Sequence, residues 1–500
     1  MMKTGFKIVL TADRTLMSEY QGGIFMGFSA CVPRGIIPDF LYFSLFSPSI
    51  DHKAGIVRVA PLGLRKIEAA LLEKGFNENE IVAAHPDHLD RVIGSETRIL
   101  SISAMDPLGM GPASSTFSKL WEGECYMPYK FREILGNKVV LKHRNNINIV
   151  VGGSGAWQLT DERMRHALDI DYVVDGEGEE VVPGLFRDIL NGTRREHVVE
   201  GKVVEEPPCV TKPTICGVVE ITRGCGRGCE FCVPTMLRHR SMPLDKILRE
   251  IEVNKKAGKG IVLHGEDVFR YKADGLIPNK NEVVKLFENA EKAAGFGNIS
   301  ISHLAFSTVC SAPDVAGKIS EILYLGSKEY PYTGAQIGLE TGSPNLISNH
   351  MKGKVKPFKP DEWQSVVESG LGICNDAHIV PTATLILGIP GETDDDIIKT
   401  IELLDDIKNL KFVPVPLLFV PLGRFNNARF CEKKDLNENH WQLIHRCAEI
   451  FIKKFDELYP DYARMAGHGA ITRSAIKLLA GYGKKRARDY MISSGYTPDF

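Results

Sequence analysis

The stretch that most constrains this chain is Glu220-Ile-Thr-Arg-Gly-Cys-Gly-Arg-Gly-Cys-Glu-Phe-Cys232, which follows the apolar, strand-like Gly217-Val-Val. Its cysteines, Cys225, Cys229 and Cys232, have the spacing C-x3-C-x2-C. Three thiolates from one glycine-rich loop suit three irons of a [4Fe-4S] cube, and the fourth iron is then left open to an external ligand. A structural zinc loop is the plainer alternative. Such loops pair two C-x2-C units or add histidine to complete four ligands. Cys209 and Cys216 lie upstream as candidate fourth ligands, but they form no second C-x2-C pair. The motif reads as an open-iron cluster loop.

Composition narrows the setting. At roughly 150 residues per domain, 500 residues predict about three domains, drawn at 1–200, 201–420 and 421–500. Net charge is -2, which gives no electrostatic footprint for nucleic acid. No apolar run approaches the ~20 residues of a membrane span, because Ile36–Phe46 is short and interrupted by Pro38 and Asp39. The first residues lead into a strand with no signal peptide. Eleven cysteines in such a chain argue against a disulfide framework. The expectation is a cytoplasmic protein without membrane or nucleic-acid partners, with most cysteines outside the loop buried.

Residues 1–200 alternate short apolar runs with helical patterns, which predicts βαβ units around a parallel sheet. Strands are expected at Lys7–Leu10, Ile81–Ala84, Ile99–Ile102, Ile147–Val151 and Tyr172–Val174. Leu64, Ile67 and Leu71 mark one face of a helix ending at Gly75. Ligands of such sheets bind beyond the carboxyl ends of the strands. There stand Ser101–Pro112, Gly152-Gly-Ser-Gly155 and Asp175-Gly-Glu-Gly-Glu179. Small residues let backbone approach a large planar ligand or a phosphate, although tight βα turns alone also use glycine. The long polar connection Thr11–Gly23 is read as a wall of the same site.

Residues 213–420 repeat the alternation, with a helix at Leu244–Lys256 and strands at Ile261–Glu266, His303–Thr308, Gly334–Glu340 and Pro381–Gly388. The carboxyl ends carry the chemistry in such a sheet, which draws attention to Glu266, Glu340 and the turn Gly388–Glu392. Further on, Trp441, Ile444, Ala448, Phe451 and Phe455 keep helical spacing, and Ala470–Leu479 and Lys484–Met491 predict two more helices. The basic run Lys484–Arg488 reads as a solvated helix face.

Val150-Val-Gly-Gly-Ser154 with Asp171–Glu179, ahead of the cysteine loop, resembles the cobalamin-binding radical SAM enzymes, and the resemblance runs from about residue 99 to 415. It implies an α/β fold: a doubly wound, Rossmann-like cobalamin-binding domain, a partial (β/α)6 TIM-like radical SAM barrel and a helical C-terminal segment. It also implies three cofactors: a [4Fe-4S] cluster, S-adenosylmethionine and cobalamin. Cobalamin would sit against Ser103, Met105, Leu108, Gly109, Gly152, Gly153, Ser154, Gly176 and Glu177. The Asp-x-His-x-x-Gly signature of an axial histidine is absent, since Asp51-His-Lys-Ala-Gly55 does not match it. S-adenosylmethionine would meet Phe231 over the adenine, Glu266 at the methionine amine, Glu340 at the ribose and Ile389 beside the adenine. His264 replaces the first glycine of the family's Gly-Gly-Glu stretch.

The activity implied is transfer of a methyl group from methylcobalamin to an unactivated sp3 carbon, with an external electron donor. The chain resembles archaeal members whose substrate is a protein or peptide, and the methyl-coenzyme M reductase alpha chain, methylated at a glutamine, is the partner that this suggests. Cyclisation or carbon–carbon coupling of a small molecule or lipid would keep the cysteine loop without methyl transfer. Methylthio transfer would require three further cluster cysteines in the N-terminal region, where Cys31, Cys125, Cys209 and Cys216 are scattered.

Overall fold

A computed structural model describes residues 5–493 and Tyr496. The chain forms two compact units, one of residues 1–219 with 249–259, the other of residues 220–248 with 260–500.

The first unit is built on a six-stranded, all-parallel sheet. Its strands are β1 (Ile8–Ala12), β2 (Ile81–Ala83), β3 (Ile99–Ser103), β4 (Asn148–Gly152), β5 (Tyr172–Asp175) and β6 (Val198–Glu200), in the order β2-β1-β3-β4-β5-β6. The order reverses at β1, as in doubly wound sheets. Both faces are covered, so the strands are apolar throughout rather than alternating. Ile8 and Leu10 face a core with Leu64 and Leu71 of α1 (Leu62–Glu73) and with Leu185 and Phe186 of α2 (Val182–Leu190). Val9, Leu100 and Ile102 face the opposite core, with Phe131, Ile134 and Val140. Each such aliphatic side chain contributes about 1.5–3 kcal/mol on burial. The helix predicted from Leu64, Ile67 and Leu71 is α1, and Gly75 follows it at φ +84°.

Residues 249–259 are tied to this unit by buried polar groups. Lys66 Nζ donates to Glu250 Oε1 at 2.6 Å and to the Pro208 carbonyl at 2.9 Å, while Thr214 N–H donates to Asn254 Oδ1 at 2.8 Å. Cys216, on the same unit, donates its thiol to the Glu19 carbonyl at 3.4 Å.

The second unit carries β7 (Ile261–His264), β8 (Ile299–Ile301), β9 (His303–Leu304), β10 (Thr333–Glu340), β11 (Ile379–Leu387) and β12 (Val413–Leu418). All pairings in this series are parallel. Residues 299–304 carry the sheet across: Ser302 N–H donates to the Leu263 carbonyl, and its own carbonyl accepts from Gln336 N–H. Ile221 N–H extends the row by donating to the His264 carbonyl. Helices intervene, among them α3 (Lys280–Ala294), α4 (Trp363–Asp376) and α5 (Asp394–Ile407), and two long helices follow, α6 (Glu438–Met465) and α7 (Ala470–Ser493).

Two expectations are corrected. His303–Thr308 alternates like a strand, but only His303 and Leu304 pair with β10. The chain then turns into the helix Phe306–Ser311, where Thr308 and Val309 N–H groups donate to the Ala305 carbonyl. The break expected between Leu479 and Lys484 does not occur either: Gly481 and Gly483 lie inside the continuous α7. Glycine costs a helix only about 1 kcal/mol relative to alanine, less than the flanking turns restore. No helix among the described residues is long and apolar enough to cross a membrane.

Candidate active site

In the first unit, the loops singled out from the sequence meet at one sheet edge because their strands β3, β4 and β5 are neighbours. Their glycines serve first to pack loop on loop. A Cβ on Gly153 (φ +100°) would lie 2.6 Å from the Ala104 carbonyl oxygen, and one on Gly155 would lie 2.3 Å from that of Met105. The Ala104 N–H donates to the Gly152 carbonyl, and the Gly155 N–H to that of Ala104, which stitches the β3 and β4 loops together. Ser103 closes β3, Gly109 (φ +72°) lies 3.5 Å from Cys125 Sγ by its would-be Cβ, and Ser154 is exposed. Met105 is 50% exposed at this edge, an unusual position for so apolar a side chain. Leu108 N–H donates to Gln158 Oε1 at 2.9 Å. Gly176 (φ +107°) and Glu177 end β5, and the buried Glu177 carboxylate accepts from Val204 N–H at 3.1 Å. Glu177 therefore holds residues 201–204 in place.

Beneath these loops lie carboxylates that the sequence reading missed. Asp106 Oδ1 accepts from Gln158 Nε2 at 2.7 Å and from Gly111 N–H at 3.0 Å. Asp13, at the end of β1, is fully buried, and burial pushes its carboxyl up to about 6 against the hydrogen bonds from Thr15 and Leu16. The connection 11–23 thus begins as a buried network, with Thr11, Asp13, Arg14, Thr15 and Ser18 all inside.

In the second unit the cysteine loop is shaped by three left-handed glycines, Gly224, Gly226 and Gly228 (φ +72°, +66° and +71°). A Cβ on Gly224 would meet the Arg238 carbonyl oxygen at 2.2 Å, so only glycine fits there. The Cys225 and Gly226 N–H groups both donate to the Met236 carbonyl. Arg227, between the first two cysteines, is buried. Its guanidinium donates to Thr308 Oγ1 at 2.6 Å, Asp267 Oδ2 at 3.1 Å and the Gly353 carbonyl at 3.1 Å. Arg270 donates to the Cys225 carbonyl from the other side. Gly423 (φ +58°) presses on the loop from below, since its Cβ would stand 2.3 Å from the Cys232 carbonyl oxygen. Arg424 also braces the cluster loop, its N–H donating to the Glu230 carbonyl.

The three cysteines feel one another's charge. Cys232 donates to Cys229, which pulls the Cys229 thiol down to about 7 and pushes Cys232 up; burial raises Cys225. Three thiolates on one loop, with the cations of Arg227 and Lys354 beside them, fit a cube, which takes each thiolate on a separate iron.

Glu340 lies at a β-bulge with φ +66°, and its Oε1 accepts from Lys354 Nζ at 2.9 Å. Gly338 makes room for this pair, because a Cβ there would sit 2.0 Å from Glu340 Oε1 and 2.6 Å from Lys354 Nζ. Lys354 is half-buried; desolvation opposes its charge, but Glu340 and the Cys229 sulfur hold its ammonium above the ordinary value. No spacing in Met351-Lys-Gly-Lys354 pointed to it. Glu266, half-buried past the end of β7, has its carboxyl raised by burial. Phe231 is half-buried, whereas the Ile389 side chain is buried, so only its backbone remains to face a nucleoside. Glu392 turns inward, accepting from Gly388 N–H at 2.7 Å and pairing with His440 Nε2 at 2.9 Å. It holds its own turn together.

Curated relatives include the tRNA-2-methylthio-N(6)-dimethylallyladenosine synthases of Syntrophus aciditrophicus (27% identical over 293 residues, 56% of this chain and 59% of that one) and Syntrophomonas wolfei (30% over 217 residues, 42% and 44%). The chain thus spans about 59% of the first relative's length. Among solved structures, the radical S-adenosylmethionine methyltransferase TsrM of Kitasatospora setae, with tryptophan and a SAM analogue, aligns over 84% of this chain and 75% of its own, at a TM-score of 0.55 and 13% identity. TsrM with cobalamin and a [4Fe-4S] cluster aligns at 0.54 and 14%, over 84% and 74%. These likenesses establish a shared fold. The model of the radical SAM superfamily matches residues 219–404, which hold the cysteine loop, Glu266, Glu340 and Ile389; this part of the chain is a radical SAM domain, the domain that takes a [4Fe-4S] cluster and S-adenosylmethionine.

Proposed function

We propose that the chain is a cobalamin-dependent radical SAM methyltransferase that methylates an unactivated sp3 carbon of a protein or peptide. The observation that carries this reading is the architecture: a doubly wound sheet with glycine-rich loops at one edge precedes the radical SAM domain, in a chain that shares the TsrM fold over 84% of its length. When bound, the cluster and S-adenosylmethionine supply a 5′-deoxyadenosyl radical and cobalamin supplies the methyl group.

The chain's own residues bind, orient and shield. Cys225, Cys229 and Cys232 hold the cluster, and Arg227 and Arg270 fix their loop. Glu340, oriented by Lys354, receives the ribose hydroxyls, Glu266 the methionine amine, and Phe231 the adenine face. In the first unit, Ser103, Met105, Leu108, Gly109, Gly152, Gly153, Ser154, Gly176 and Glu177 line the corrin site, with exposed Met105 facing the ring. The substrate proposed is a glutamine of the methyl-coenzyme M reductase alpha chain, with an external one-electron donor for the cluster.

Methylthio transfer is the second reading, favoured by the names of the curated relatives. It needs a second cluster. Cys31, Cys125, Cys209 and Cys216 of the first unit are scattered in sequence, and burial pushes the thiols of Cys31 and Cys216 up to about 12. Anaerobic reconstitution with iron, sulfide and hydroxocobalamin separates the readings. Methyltransferase activity predicts one cluster and one corrin per chain after desalting; two clusters and no retained corrin would favour methylthio transfer.

A further inference from the structure

Helix α7 carries the two most exposed large apolar side chains among the described residues, Ile471 at 86% and Leu478 at 74%. Tyr482 (58%) and Ile492 (55%) follow on the same side of the helix, opposite the buried Ile476 and Met491. Single exposed apolar residues are ordinary on a protein surface, but a row of them marks a contact.

That helix is also basic. It holds Arg473, Lys477, Lys484, Lys485, Arg486 and Arg488 against a single acid, Asp489. Lys484 turns to Asp456 and Arg486 lies over the Tyr482 ring, while Lys477, Lys485 and Arg488 stand exposed. Such a face attracts its opposite charge. A second copy would set these cations against the same cations across a two-fold axis. A lipid surface would have to take in Lys485 and Asp489, which interrupt the apolar row between Tyr482 and Ile492. Nucleic-acid interfaces are more polar than a row of Ile, Leu, Tyr and Ile. An acidic protein surface meets both the charge and the apolar row.

A separate observation is where α7 ends. The Tyr490 ring lies 6.4 Å from that of Trp441 and 6.2 Å from that of His445, in the first two turns of α6. From α6, His440 pairs with Glu392; beside that turn, His350 Nε2 meets the Pro390 carbonyl at 3.1 Å, and its Nδ1 meets Glu230 Oε2 at 2.8 Å. Glu230 stands between Cys229 and Cys232. Contacts within the second unit therefore lead from the basic C-terminal half of α7 to the cluster loop.

We propose that the outer face of α7 docks an acidic protein carrying a one-electron redox centre, which reduces the cluster. The donor loses one electron, and the cluster passes it to the sulfonium of S-adenosylmethionine, whose carbon–sulfur bond breaks to methionine and the 5′-deoxyadenosyl radical. From Ile471 to Ile492 the face is about 32 Å long, and one helix face buries the small area of a transient redox encounter, under ~1,200 Å² in total. This deepens the reading given under Proposed function, on which the donor's redox role rests.

The test uses the full chain with its cluster loaded and flavodoxin, a small acidic flavoprotein, as the probe. Titration calorimetry with oxidised flavodoxin should show binding that weakens as salt is raised. The triple variant Lys477→Glu, Lys485→Glu, Arg488→Glu should weaken it at least ~10-fold, and Leu478→Asn should weaken it without changing its salt dependence. With reduced flavodoxin as the electron source, the triple variant should form 5′-deoxyadenosine with a raised KM for flavodoxin; with dithionite, which needs no docking, its rate should equal that of wild type. Circular dichroism and cluster absorbance check folding. Binding that is absent or indifferent to charge reversal, or an equal loss of rate under both reductants, would overturn the proposal. So would pelleting with phosphatidylglycerol vesicles, or dimerisation in sedimentation, that Leu478→Asn abolishes. Absence of 5′-deoxyadenosine from wild type under dithionite counts against the radical reading alone, since calorimetry still decides the docking.

Discussion

Two glycine-rich edges, one in each unit, look alike in sequence and differ in construction. At the cysteine loop the surrounding groups are charged and buried: Arg227 reaches Asp267 and Thr308, and Lys354 reaches Glu340. At the first unit's edge the loops lock by close backbone packing, with Gly153 and Gly155 seated on the carbonyls of Ala104 and Met105, and by uncharged-partner hydrogen bonds such as Gln158 to Asp106 and Leu108 N–H to Gln158. An anionic cluster needs fixed cations and an unyielding loop. On the proposed function, the first unit's edge would take a large amide-fringed ring, which needs shallow, small-residue walls. Glycine therefore marks both places for different reasons, and only its neighbours tell them apart.

The comparison can be broken at either edge. The largest effect is expected from Cys229→Ala, which should abolish both the cluster absorbance and 5′-deoxyadenosine formation; retention of either would remove the cluster assignment. Next is Lys354→Met, which strands the buried Glu340 carboxylate. A broken buried pair costs about 3–5 kcal/mol, read as a lowered urea midpoint, and Lys354→Arg should recover much of it.

Asp13 gives the third. Its folded-state pKa lies above the unfolded value, so between about pH 4 and 6 the native state binds more protons than the unfolded chain. Its contribution is fully present below pH 4 and lost as pH rises to about 6. A rise of some two units corresponds to roughly 2–3 kcal/mol. Asn keeps the Oδ1 acceptor that takes all three local hydrogen bonds, so Asp13→Asn should stabilise the protein at pH 7.5 and flatten the decline. Urea midpoints at pH 4.5 and 7.5 measure it, and an unchanged slope would contradict it. The smallest effect is Gly153→Ala, expected to lower stability by about 1–3 kcal/mol through its left-handed φ and the close Ala104 carbonyl, with corrin retention weakened and cluster content intact.

The first unit's strands are legible because that sheet is parallel and covered on both faces, which leaves continuous apolar runs, and the second unit's because buried residues alternate with half-exposed ones along β10 and β11. The cluster loop is legible because three cysteines and three glycines in nine residues admit few alternatives. The sequence could not reveal Lys354, Gly423 or Asp13, whose roles depend on chain brought together from far apart. Glu392 misled for a related reason: a glutamate after a glycine turn looks the same whether it faces a ligand or, as here, its own Gly388 N–H and His440. Propensity divides helix α7 at Gly481 and Gly483, reading two breakers where the helix runs on.

The most direct test is corrin retention by the anaerobically reconstituted protein, followed by incubation with dithionite and methyl-labelled S-adenosylmethionine. The account predicts a corrin absorbance band surviving desalting at one per chain, 5′-deoxyadenosine, and label moving from S-adenosylmethionine to the bound corrin. A protein that makes 5′-deoxyadenosine but retains no corrin would contradict it.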